Sequence, residues 1–462
     1  MQIWTSWLAG PLGKRAKGIM RAKQKTALLM IAARFCAAFA CILFTTFSAR
    51  GQEERSDFSQ FQLRLNQDSA LRTLADAQLR LATADFLPKV NMAGEGILGG
   101  RIEYSPDITV DNPGTYAKRD PSTAGLEVSW KLFDGFQNIN NLRAAREGVS
   151  YALYASLDTR QRLYLEKAEK LLDVIRARAM LAAYNAAVEK RQEASSLAKR
   201  LLTDRVVTLS QSELAASELQ RALAAQKQAI ASLQTAELSY VQFSGSRLGK
   251  RVHIEVPTRK LPTSAQQAAE RAQAQNPQVQ MAYHLEREAE YKARAAAGRY
   301  LPTVSLVGRY SRAFDTTPQI NRVDNSAILV RATVPIFDPT IGPTADIART
   351  QALQRRWDRQ DATLALGMEA RKQFELFKSA NAQLQDIQRQ QVRAKAAVAA
   401  MRMEIEAGER TVSDLLDAQQ MTVQAALALA DAHYVRSVSA FRLLATMGIL
   451  DLNDIGLDAV NF

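Results

Sequence analysis

In this sequence of 462 residues, Asp414 and Asp417 stand three apart behind Thr411, Val412 and Ser413, with Arg410 just before them. Three-residue spacing puts two side chains on one face of a helix. At a helix start such acids complement the positive end, with Ser413 as the capping residue, for a few tenths of a kcal/mol. The remaining candidates for chemistry are poor. His253, His284 and His433 are scattered, match no metal-ligand spacing, and read as surface or helix-face residues. The run Gly245-Ser246-Arg247-Leu248-Gly249-Lys250 is one residue short of a phosphate loop, lacks Ser or Thr after the lysine, and follows a helix rather than a strand. It reads as a helix C-terminus. No cofactor and no metal is expected, and the chain is not expected to be an enzyme.

The elements that position these residues follow from composition and repetition. Hydrophobic residues make up 47% of the chain and charged residues 23%, with few Gly and Pro, a bias toward long helices. Lys14, Arg15, Lys17, Arg21, Lys23 and Lys25 precede an apolar run from Thr26 to Phe47, followed by the small residues Ser48 and Ala49. This is the pattern of a signal peptide over 1–48, with Met20 as a possible true start. Arg34 interrupts the run, which opposes the rival reading of a transmembrane helix. Ala40-Cys41 resembles a lipoprotein cleavage site, but the run continues past it, so lipidation is not expected. The leader holds seven Lys/Arg and no Asp/Glu, so its removal takes the net charge from +13 to +6. Nucleic acid is therefore not an expected partner. Both cysteines, Cys36 and Cys41, go with the leader, which suits an oxidising compartment.

The chain repeats itself. Phe86-Leu87-Pro88-Lys89-Val90 returns as Tyr300-Leu301-Pro302-Thr303-Val304, and Trp130-Lys131-Leu132-Phe133-Asp134 as Val334-Pro335-Ile336-Phe337-Asp338. Thr208-Leu209-Ser210 returns as Thr411-Val412-Ser413, and Gly245 as Gly448, in the same order. After each Leu-Pro the residues alternate: Leu126, Val128, Trp130 and Leu132 interleave with Glu127, Ser129 and Lys131, and Ile328, Val330, Ala332 and Val334 with Arg331 and Thr333. Each copy thus makes a strand hairpin with one apolar face. Four such strands leave two edges open, which lipid forbids, so other chains must complete a barrel. Two copies would give eight strands and a filled interior, whereas three would give twelve and a lumen.

Beyond each hairpin the apolar period becomes helical, as in Tyr164, Ala168, Leu171, Ile175, Ala179 and Ala182. A helix of some 65 residues extends roughly 100 Å. Each long helix turns at the Thr-hydrophobic-Ser element and comes back as a shorter one. The expected division is a leader over 1–48, a first repeat over 49–257 and a second over 258–462. The first repeat holds short helices, a β-hairpin about 87–133, a long helix about 136–204 and a return helix about 210–245. The second holds short helices about 264–298, a β-hairpin about 301–337, a long helix about 345–407, a return helix about 413–447 and a tail.

These motifs, with the Asn276-Pro277 joint and the run Gly408-Glu409-Arg410-Thr411-Val412-Ser413-Asp414-Leu415-Leu416-Asp417-Ala418, resemble the outer-membrane efflux proteins of the TolC type. The likeness spans about Leu71 to Leu450. It implies a mainly α fold with membrane β: long antiparallel helical hairpins forming a coiled-coil α-barrel, plus two β-hairpins contributing four strands to a trimeric 12-stranded outer-membrane β-barrel. It implies a homotrimer in outer-membrane lipid that reaches into the periplasm, meets a periplasmic adaptor protein and is fed by an inner-membrane efflux pump or ABC exporter. By the same resemblance Arg410, Asp414 and Asp417 belong to the periplasmic entrance, and Thr208, Leu209, Ser210, Thr411, Val412 and Ser413 to the tips that touch the adaptor. Drug efflux and type I protein secretion share all of these features. A periplasmic coiled-coil protein without a pore would lack the four alternating segments, and a small autonomous porin would have no use for the helices. Three departures stand out. Gln62-Leu63 takes the place of the Asn-Pro joint, so the N-terminal helix is expected to be shortened or irregular. Pro339 follows Asp338 where glycine is common, and Gln211 and Leu214 stand opposite Asp414 and Asp417.

Overall fold

Two very long helices set the scale of the molecule. The computed structural model describes residues 59–455 except 97–101, 105–116, 120–121, 250–251, 253, 315–321 and 407–408; the leader, Met20, His253 and the terminal Phe462 lie outside these. In chain order the elements are α1 (Gln60–Ala84), β1 (Lys89–Gly96), β2 (Ile102–Tyr104), β3 (Ala117–Arg119), β4 (Ser122–Phe133), α2 (Gln137–Thr203), α3 (Leu209–Ser244), α4 (Ala265–Gln275), α5 (Pro277–Ala297), β5 (Thr303–Phe314), β6 (Arg322–Thr333), α6 (Ile341–Glu406) and α7 (Val412–Thr446). The 67 residues of α2 and 66 of α6 contain Pro only at position 343, in the first turn of α6, where the missing N–H costs nothing. Each such helix is about 100 Å long.

Strands β1, β4, β5 and β6 form one antiparallel sheet in that order. Each copy's pair is a hairpin, and β4 pairing with β5 joins the copies. The longer first hairpin carries the small β2–β3 ladder between its arms. One face of the sheet is apolar and bare in the rows nearer the helices: Met92 is 78% exposed, Ile328 82% and Val330 69%, with Leu126, Val128 and Trp130 in the same rows. The opposite face carries Glu127, Lys131, Arg309 and Arg331 by strand alternation, and Arg309 donates to Glu127 at 2.8 Å. Apolar residues exposed on one side and polar residues on the other is the dyad of a barrel wall whose outside meets lipid.

The main core lies in the helical body. Leu171, Val174, Tyr240, Phe441, Leu443, Leu444, Met447 and Ile455 are buried together, with Ala168, Ala268, Ala272 and Ala370 letting the helix backbones approach. A second, small cluster of Ala194, Ala198, Ala215 and Leu416 lies toward the far end of the hairpins.

Two sequence expectations change here, and the Pro339 departure takes effect as a third difference. First, α1 is one regular helix, and the counterpart of Asn276 is Ser59. Ser59 accepts from the Gln62 backbone and packs against Gly245, as Asn276 accepts from the Gln278 backbone and packs against Gly448. The joint therefore lies three residues ahead of Gln62-Leu63, and the proline is unnecessary because a capping box starts the helix. Second, β6 stops at Thr333, short of Phe337. Pro335 has no N–H to donate, and Ile336 and Phe337 stand 97% and 87% exposed. Third, the strand-to-helix turns differ. Gly135 takes φ of 69° and Phe136 65°, so only three residues separate β4 from α2; Pro339 cannot adopt such a backbone, and seven residues separate β6 from α6.

Candidate functional site

The residues singled out above sit at the two helix tips. At the first tip Thr208 is the N-cap of α3: its Oγ accepts from the Gln211 backbone N–H at 3.4 Å, and Gln211 Oε1 accepts from Thr208 N–H at 3.1 Å. Ser210 Oγ lies 2.9 Å from Thr208 Oγ. The neighbouring Leu209 and Val206 are 64% and 68% exposed.

At the second tip Thr411 caps α7 in the same way, and Asp414 closes the box. Asp414 Oδ2 accepts from Thr411 N–H at 3.0 Å and from its hydroxyl at 2.9 Å, while Asp414 N–H donates back to Thr411 Oγ at 3.3 Å. Thr411, not Ser413, is thus the cap; Ser413 already lies within the first turn. These bonds favour the ionised form and hold the Asp414 carboxyl below the usual carboxylate range, the Thr411 backbone donor being the chief cause. Asp417, one turn on, is exposed. Arg410 turns back to Glu404 at 3.2 Å, on its own hairpin. Of Val412 only the backbone is described.

Sequence reasoning missed the group that ties the tips together. Arg191 on α2 is 3% exposed; it donates to Gln420 Oε1 of α7 at 3.3 Å and lies 3.7 Å from Glu218 Oε2 of α3. Burial lowers the pKa of its guanidinium, opposed by Glu218 and then Asp417, so Asp417 is felt across the seam. Arg191 Nη1 and Gln419 Oε1 are buried without a hydrogen-bond partner among the described residues. Two positions on, Glu193 meets Arg402 of α6 at 3.2 Å and Lys190 at 2.8 Å. The signal was present: Arg191 interrupts the buried stripe of Ala187, Ala194 and Ala198 at helical spacing. Its partners lie too far along the chain to be read from it.

The other candidates take structural places. Gly245 and Gly448 end α3 and α7 at φ of 76° and 75°. His284, on a face of α5, is mostly covered, pairs with Glu147 at 2.7 Å and stacks on Tyr154. His433 is exposed on α7, and partial desolvation, then the neighbouring Arg436, lowers its pKa. Among the described residues no group of three or more His, Cys, Asp or Glu converges on a metal site, and no helix is long and apolar enough to cross a membrane.

Tips, doubled hairpins and a four-stranded sheet can be compared with known proteins. The sequence model for "Outer membrane efflux protein" matches residues 61–246 and again 268–449. The chain belongs to that family. Its two matched segments are the two copies of the repeat, and it is the family that the motifs resemble. The outer membrane efflux protein BepC of Brucella suis is 26% identical over 395 residues, 81% of this chain and 83% of that one. The alkaline protease secretion protein AprF of Pseudomonas aeruginosa is 26% identical over 195 residues, 41% of this chain and 40% of that one. The crystal structure of the outer membrane protein VceC of Vibrio cholerae superposes with a TM-score of 0.72 at 15% identity, covering 83% of this chain and 92% of that one. The fold is therefore that of the TolC-type outer-membrane channels, a helical barrel continued by a β-barrel. The protein resides in the outer membrane and extends into the periplasm.

Proposed function

We propose that three copies form a duct that passes drugs or other small molecules from the periplasm to the exterior. A periplasmic adaptor and an inner-membrane pump complete the machine and supply its energy. The observation that carries this is the sheet: β1 and β6 end it with no further strand beside them among the described residues, and the rows of its outer face nearer the helices are apolar and bare. Open edges are not tolerated in lipid, so β6 of one copy must meet β1 of the next. Four strands from each of three copies close a barrel wide enough for a lumen, about twelve strands in all. In this reading Arg410, Asp414 and Asp417 line the periplasmic entrance, and Thr208, Leu209, Ser210, Thr411, Val412 and Ser413 meet the adaptor. The exposed Leu209 and Val206 give the first tip an apolar contact. Cysteines placed on β1 and β6 should crosslink purified protein into a trimer ladder, and the trimer should conduct ions in planar bilayers. A monomeric mass without conductance sinks the proposal.

A second reading, the outer component of a type I protein-secretion system, is favoured by the partial likeness to AprF. The two separate by partner: crosslinking through the tips should capture the adaptor of a drug pump in one case and that of an ABC exporter in the other.

A further inference from the structure

The outer face of the sheet is not apolar along its whole height. Register puts Met92, Leu126, Tyr310 and Ser326 in one row across the four strands, and Gly94, Ala124, Arg312 and Asp324 in the next row toward the loops. The row after that is Gly96, Ser122, Phe314 and Arg322. Two steps along a strand return to the same face, so Arg312, Asp324 and Arg322 share the lipid side with Val128, Ile328 and Val330. They are organised. Arg312 Nε donates to Asp324 Oδ1 at 2.6 Å and its Nη2 to the Tyr310 hydroxyl at 3.0 Å, while Arg322 Nε donates to Asp324 Oδ2 at 2.9 Å. Two guanidinium groups are thus held around one carboxylate, with a net charge of +1.

An arginine on the lipid face costs about 2–4 kcal/mol at the midplane and about 0–1 near an interface. The cluster therefore marks a headgroup level. From Val304 to Arg312 is eight residues of β5, about 21 Å of height at a strand tilt of about 40°, close to the apolar band of a barrel. Tyr310 and Phe314 flank the cluster on the same face, as aromatic residues do at a bilayer interface. Beside it, Gly94, Gly96, Ala124 and Ser122 present little side-chain bulk on β1 and β4. The long helices leave the sheet from its other end, so this level faces the outer leaflet.

We propose that Arg312 and Arg322, aligned by Asp324, bind a phosphate of the phosphorylated glycolipid that forms that leaflet, its sugar lying over the small residues of β1 and β4. The guanidinium fork matches a phosphate in two-point geometry, and each fork has donors beyond those turned to Asp324 and Tyr310. The inference rests on the barrel orientation used above.

The test is native mass spectrometry of the full-length, delipidated protein titrated with diphosphorylated lipid A, with its dephosphorylated form and with phosphatidylglycerol. Wild type should retain the diphosphorylated form, and Arg312→Gln with Arg322→Gln should bind it about tenfold more weakly. Arg309→Gln removes a charge from the lumen side and should bind normally. Equal loss in Arg309→Gln, undiminished binding of the dephosphorylated form, or equal competition by phosphatidylglycerol would each overturn the proposal. Should the double variant not assemble, Arg322→Gln alone carries the test with a smaller loss. Conductance of the same preparations separates this inference from the duct: a conducting channel that does not discriminate among lipids refutes the lipid site alone, and lipid binding without conductance refutes the duct alone.

Discussion

The two helix tips are built alike and charged differently. Thr208 and Gln211 close the first, Thr411 and Asp414 the second, with the same pair of reciprocal hydrogen bonds. A neutral amide does the capping at one tip as a carboxylate does at the other, so capping alone does not call for an acid. The extra charge of Asp414, and of Asp417 opposite Leu214, is what the proposed ring of acids at the entrance would use. The same contrast runs to the far ends of the return helices. Gly245 leans on the Ser59 side chain, whereas Gly448 is hemmed in by the backbone of Gln275 and Asn276 and by the Pro277 ring.

That last difference should produce the largest effect. An alanine at either position must adopt a left-handed backbone, at about 1–2 kcal/mol. Its Cβ would lie 2.9 Å from Asn276 Cα and 3.0 Å from Gln275 O at Gly448, but 2.9 Å from only the Ser59 Cβ at Gly245. We expect Gly448→Ala to cost about 3 kcal/mol or more and Gly245→Ala about 2, read from guanidinium unfolding in detergent. Equal losses would mean that the two joints are mechanically equivalent. Next in size is Arg191→Met. It frees Glu218, which still has Arg221 at 2.6 Å, so the loss should be about 1–2 kcal/mol rather than the full cost of a stranded buried ion. Hydrogen exchange should show it as faster opening of α7 around Leu415 and Leu416, with the first tip hardly changed. Unchanged exchange at α7 would remove Arg191 as the tie between the tips.

Much of this was legible because the repeat is written in residues with strong local meaning. Thr-Leu-Ser and Thr-Val-Ser place a cap at each turn, alternation from Leu126 to Leu132 marks a strand, and Gly245 and Gly448 mark helix ends. What escaped depends on geometry without a local code. The three-residue offset of Ser59 from Gln62 is visible only when Gly245 is seen against it. Thr411 and Ser413 are equally good caps by type, and only the backbone decides for Thr411. The outward Arg312 and Arg322 are charges within strands, and sequence alternation says which face they take only once the register is known.

A finer test of the tips exchanges their chemistry. Asp414→Gln copies the first tip, so it should change stability by less than about 0.5 kcal/mol, whereas Thr411→Ala should cost about 1. If the acids ring the entrance, Asp414→Gln with Asp417→Asn should abolish cation preference and divalent-ion block in single-channel records. A loss of stability in Asp414→Gln as large as that in Thr411→Ala would return the carboxylate to a purely structural role.

The smallest effect is a pH dependence that only one tip should show. Asp414 is held below the ordinary carboxylate range by the Thr411 donors, so its folded pKa lies under its unfolded one. A depressed acid contributes stability that is fully present above the unfolded value, near about 4, and is lost as pH falls through the folded value. Gln211 does not titrate. Lowering the pH from about 5 to about 2 should therefore weaken protection of the first turn of α7 relative to that of α3, followed as the ratio of amide exchange in the two turns so that intrinsic rates cancel. In Asp414→Gln the ratio should stay flat. A wild-type ratio that is also flat would show that the second cap holds as well protonated as ionised. The difference between the tips would then be one of field at the entrance and not of helix stability.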